Sequence, residues 1–157
     1  MNLQFRAIWV LLGSLIATAY AHAAPGLPQS HHVQQASRIE VLFPPLVKRQ
    51  TLATMRMHLQ GLAEIQGALA VGKFEKAAQI AMQSLGMSSM HGNQMAEEAK
   101  YMPHGMKKLG ALMHQRAAAF AISAQNAAAT GDIRPPLRAL SRVTETCVAC
   151  HAVYRLK

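Results

Sequence analysis

The sequence predicts an all-α protein, an antiparallel four-helix bundle, on three observations. Ala, Leu, Met, Gln and Lys, all good helix formers, dominate the chain after its first two dozen residues. Apolar residues recur there at steps of three and four, the period of a single helix face. Strictly alternating stretches are few and β-branched residues sparse, so strand signals are nearly absent.

Residues 1–23 stand apart from that pattern. Arg6 precedes the apolar run from Ala7 to Ala19, and small residues follow at Ala21 and Ala23. A positive start, a short apolar run and an A-x-A site make an export signal peptide. The run is shorter than the ~20 residues that span a bilayer. Cleavage is expected after Ala23, with Ala21 as the neighbouring option, leaving 24–157 as one soluble domain in the periplasm.

The first helix is expected from Leu46 to Val71. Pro44 and Pro45 suit its start and Gly72 its end. Leu52, Met55, Leu59, Leu62, Ile65 and Leu69 form its apolar stripe, and Gly61 and Gly67 offer close helix approach. The second stretch runs from Lys73 to Gly86, with Phe74, Ala77, Ala78, Ala81 and Leu85 on one side. An irregular connection follows, with a short helical piece near Met95 to Tyr101. The third long helix starts near Pro103, carries the stripe Leu109, Met113, Ala117, Phe120, Ala124 and Ala127, and stops at Gly131. His114 on this helix is expected at a partly exposed surface. The fourth opens at Asp132 with Pro135 and Pro136, and its seam is Leu137, Leu140, Thr144, Cys147, His151 and Tyr154. Four such helices with short links make an antiparallel four-helix bundle, with three-helix and five-helix variants left open by the irregular connection after Gly86.

Cysteine usage is the most informative feature. The chain has two cysteines, both in Cys147-Val148-Ala149-Cys150-His151. Export places them in an oxidising compartment, yet a disulfide across three residues closes a tiny loop and removes little unfolded-chain entropy. On a helix these residues stand at i, i+3 and i+4 and share one side. C-x-x-C-H is the attachment signature of c-type haem. Cys147 and Cys150 would form thioethers to the two vinyl groups, and His151 would be an axial ligand to the iron. The cofactor expected is therefore one covalent haem c, with its iron, near the end of the C-terminal helix. A redox dithiol would want a βαβ setting and a helix N-terminus. A zinc site would want a second Cys or His pair at regular spacing.

The segment from Gly131 to Lys157 resembles the C-terminal helix of the class II c-type cytochromes, the cytochrome c-prime family and its low-spin relatives. The likeness is clearest from Pro103 onwards, and Tyr154 and Arg155 stand where that family carries an aromatic and an arginine after its motif. The resemblance implies a four-helix bundle that carries single electrons and whose first helix supplies the residue opposite the proximal histidine. Met55, Met57 and His58 are the candidate ligands there, with Leu52 as a blocking residue; Met55 is preferred because it lies on the apolar stripe. A methionine implies a six-coordinate electron carrier. A blocked site implies a five-coordinate protein that binds nitric oxide or carbon monoxide. Arg49 and Arg56 would contact haem propionates by the same resemblance, and Arg155 would hold a propionate or the C-terminus. Homodimers through the first two helices are common in that family.

The formal net charge is +9, with 16 Lys and Arg against 7 Asp and Glu. The basic residues are scattered, without a dense run or interleaved aromatics, which argues against nucleic-acid binding. A periplasmic redox partner with an acidic face fits the charge. No general acid, nucleophile pair or phosphate loop is visible, so an enzyme is not expected. A third reading is a periplasmic copper-binding protein: Met87, Met90, His91 and Met95, extended by Met102, His104 and Met106, offer soft ligands for Cu(I). His31 and His32 are expected in a flexible N-terminal segment.

Overall fold

Proline and glycine set the helix limits. The computed structural model describes residues 38–86 and 93–157. The expected signal peptide, His31, His32, Met87, Met90 and His91 lie outside the described residues, as does the side chain of Met95. Helix α1 spans Pro45–Ala70, with Pro44 in extended geometry before it. Proline suits the first helical position because the N–H it lacks would have no intrahelical acceptor there. The helix ends as Gly72 adopts φ 70°. The Gly72 and Lys73 amides donate back to Leu69 and Ala68, closing the last turn.

Helix α2, Phe74–Ser84, folds back along α1. A Cβ on Gly61 would lie 2.7 Å from the Ser84 Cβ, so this glycine lets the two helices touch. Gly67 plays no such part, since a Cβ there meets nothing within 4 Å. Helix α3, Asn93–Tyr101, is short, and α4, His104–Thr130, begins directly after Pro103. It ends where Gly131 takes φ 72° and donates its N–H to the Ala127 carbonyl. Helix α5, Arg134–Val153, opens beside Asp132, whose carboxylate accepts the Arg134 backbone N–H at 3.0 Å.

Among the described residues the chain is thus mostly helical, and the four helical stretches and the short piece expected from the sequence are present as five helices. Packing runs from α1 to α2, from α2 to α4 and from α4 to α5. The main core lies along this series. Ile65, Ala77, Ala81, Ala117, Phe120 and Ala124 are wholly buried in it, and the small alanine side chains permit close helix contact. Among the described residues, no helix is long and apolar enough to cross a membrane.

Two short strands were not anticipated. β1, Ile39–Val41, pairs in parallel with β2, Tyr154–Leu156, placing Ile39 beside Tyr154 and Val41 beside Leu156. A two-stranded ribbon is marginal by itself. Here Glu40 pairs with Arg155 and with Lys157, the latter at 3.0 Å, and Val41 is buried under the ribbon. Tyr154 therefore leaves the helix instead of continuing its seam.

The buried side of α5 also differs in phase from the expected seam. Pro136, Leu140, Val143 and Thr146 are buried, whereas Leu137, Thr144 and His151 are exposed. The inward line is shifted by one residue for most of its length, a rotation of about 100°. Cys150 thereby joins Cys147 at the buried margin, and His151 turns outward.

Candidate functional site

The two cysteines occupy the last turns of α5, each half-buried with a free thiol. Cys147 packs against the main core, and its Sγ lies 3.8 Å from the Val143 carbonyl oxygen. Cys150 packs against a second, smaller cluster of Val41, Phe43, Val47 and Met106. The pair therefore bridges two apolar regions. Burial pushes both thiols above their ordinary pKa, and the neighbouring Cys147 charge adds to the effect at Cys150. A position near a helix C-terminus also disfavours a thiolate. Reactive C-x-x-C dithiols show the opposite, a depressed pKa near a helix N-terminus.

His151 follows with an exposed ring in the last turn. Its backbone carbonyl accepts a long hydrogen bond, 3.4 Å, from Arg38 just ahead of β1. The ribbon thus fastens the chain immediately beyond the motif. Tyr154, the first residue of β2, reaches back over α4, and its hydroxyl stands too close to the Cβ position of Gly105 for a side chain there. A larger residue at Gly105 would have to push this ring aside.

The candidates on α1 separate cleanly. Met55 is half-buried against the same small cluster as Cys150. Met57 is 60% exposed and Leu52 37% exposed. Two residues turn a helix by about 200°, which is why Met55 and Met57 part company. His58 instead meets His114 of α4, with ring centroids 5.9 Å apart. Burial, reinforced by the charge of His114, lowers the His58 pKa to about 4. His114 is a correction: it is buried, with its Nδ1 2.7 Å from the Leu85 carbonyl oxygen.

Arg49 and Arg56 are exposed, and neither makes an ion pair among the described residues. Arg155 is held by Glu40 and so fastens the C-terminal strand. Two further methionines reach the site. Met106 is buried within the small cluster, and Met102 packs against it. Their MPHGM run was legible as a source of soft ligands, but nothing local showed that it folds beside Cys150. Phe43 is buried in the same cluster, with its ring 6.1 Å from that of Tyr101.

The residues present suit a covalently attached haem. Two protonated, half-buried thiols sit among apolar side chains, an exposed imidazole adjoins them, and a thioether approaches from α1. Leu46 and Leu52 on the early turns of α1 and Val148 inside the motif leave apolar surface uncovered. Among the described residues, His, Cys, Asp and Glu form no group of three or more fit for a metal ion. In comparisons with family models, curated proteins and solved structures, nothing matches this chain.

Proposed function

We propose that this chain is an exported c-type cytochrome of the class II kind, which transfers single electrons in the periplasm. One observation carries the reading: Met55 packs against the same apolar cluster as Cys150 of the C-x-x-C-H motif, from a helix far away in sequence. In this reading α1, α2, α4 and α5 are the four helices of the bundle. Haem c, when bound, would supply a one-electron couple at its iron.

Each residue has a distinct task. Cys147 and Cys150 would anchor the ring through thioethers, which explains two thiols that need no disulfide. His151 would offer its imidazole from the adjoining position, and Met55 its thioether from the opposing helix. Val41, Phe43 and Val47 keep water from that side, which favours the less charged state of a buried couple. Arg49 and Arg56, exposed on α1, remain the candidates for propionate contacts. The strong positive charge favours a partner with an acidic face. A homodimer is compatible with this role.

Visible spectra in both oxidation states test the ligand. Met ligation predicts a thioether–iron charge-transfer band in the oxidised protein and no carbon monoxide binding. Met55→Leu should abolish the band and admit carbon monoxide, while Met57→Leu should change neither. A wild-type ferrous protein that binds carbon monoxide would select the five-coordinate gas-binding reading.

A further inference from the structure

The His58–His114 pair is unused by the proposed electron-transfer role. The two rings come from different helices, with centroids 5.9 Å apart and planes at 83°. His114 is only 5% exposed, and its Nδ1 stands 2.7 Å from the Leu85 carbonyl oxygen. A carbonyl oxygen only accepts, so Nδ1–H donates and Nε2 keeps its lone pair. Metal-ligating histidines are typically held in this way, by a hydrogen bond from the other ring nitrogen to a carbonyl or carboxylate.

The spacing suits one shared ion. An imidazole nitrogen lies ~2 Å from a bound first-row metal, which puts its ring centre about 3 Å away. Two rings on a linear, two-coordinate ion then have centres about 6 Å apart, close to the separation of the observed pair. His58 is half-buried, so an ion has a route from solvent. Among the described residues, no Cys, Asp, Glu or further His completes a group of three around the pair. Zinc takes four ligands. A monovalent d10 ion accepts two neutral nitrogen donors, and imidazole suits copper.

We propose that His58 and His114 form a Cu(I) site between α1 and α4, separate from the C-x-x-C-H motif. The site does not depend on the haem reading.

The test is an anaerobic titration of the full mature protein, as exported, with Cu(I) in competition with a chromogenic Cu(I) chelator. Wild type should retain one copper per chain. His58→Phe, which keeps a ring of similar size, should weaken binding by about tenfold or more, with helicity by circular dichroism unchanged. His58→Gln should do the same, which guards against a packing artefact of either variant. Met90→Ala should bind as wild type does. The proposal is overturned if wild type binds no copper, if both His58 variants bind as tightly as wild type, or if Met90→Ala alone removes binding.

Discussion

The two apolar clusters of this protein are built from different materials. The main core draws alanines and branched or aromatic residues from α1, α2, α4 and α5, with Ile65, Ala77, Ala117, Phe120 and Ala124 fully enclosed. The cluster beside the motif is smaller and has a half-exposed margin of Met55, Met102, Cys150, Tyr154 and Leu156. Both regions have a partly buried margin, and the two cysteines divide between them, Cys147 at the edge of the first and Cys150 at the edge of the second. The first is mostly enclosed helix packing, whereas the second is small and sets Met55, Met102 and Cys150 together at its edge, and in the proposed reading the first is mainly scaffold and the second mainly site. Each region should therefore fail differently when altered.

The largest effect is expected in the main core. Phe120→Ala should destabilise the fold by about 3–5 kcal/mol, the usual cost of emptying a buried aromatic site. Val41→Ala, in the small cluster, should cost about 1–2 kcal/mol. Urea denaturation of both variants gives the comparison. Equal losses would remove the distinction between scaffold and site.

Next in size is the glycine pair on α1. Gly61→Ala should cost about 1–3 kcal/mol by overpacking, because the new Cβ meets the Ser84 Cβ at 2.7 Å. Gly67→Ala has open space around it and should stabilise by about 0.5–1 kcal/mol through helix propensity. The same urea measurement checks both signs.

These cases show what could be read from the residues. The helix ends were legible because Pro45, Gly72 and Gly131 act locally, through a missing N–H or a positive φ. The place of Cys147 and Cys150 on the last helix was legible from spacing. The phase of α5 was not, because threonines and cysteines occupy both sides and do not mark which is inward. Thr146 is buried and Thr144 exposed, with nothing local to distinguish them. His114 reads as a surface residue until the Leu85 carbonyl is placed against it. The ribbon was invisible for a related reason: each strand is three residues long, and its partner lies near the other end of the described chain.

The smallest effect concerns that ribbon. A hydrogen bond from Lys157, reinforced by the charges of Arg155 and Lys157, lowers the Glu40 carboxyl below its ordinary value of 4.5. The folded state therefore binds fewer protons here than the unfolded chain. Its contribution is complete above pH 4.5 and is lost as pH falls through the lower folded value. Hydrogen exchange at the Lys157 amide, which donates to the Val41 carbonyl at 3.0 Å, should lose protection in acid. Glu40→Gln should show that lower protection at neutral pH. The helices should keep their protection in both cases, and a coincident loss throughout the molecule would contradict a local clasp.

The central claim concerns the half-exposed edge itself: that a porphyrin is covalently bound there through Cys147 and Cys150. The most direct measurement is the intact mass of the exported protein from a host that matures c-type cytochromes, with Cys147→Ser/Cys150→Ser as reference. The account predicts that wild type is heavier than its polypeptide by one haem, that this mass survives denaturation, and that the double variant lacks it. A colourless wild-type protein with only the polypeptide mass would contradict it.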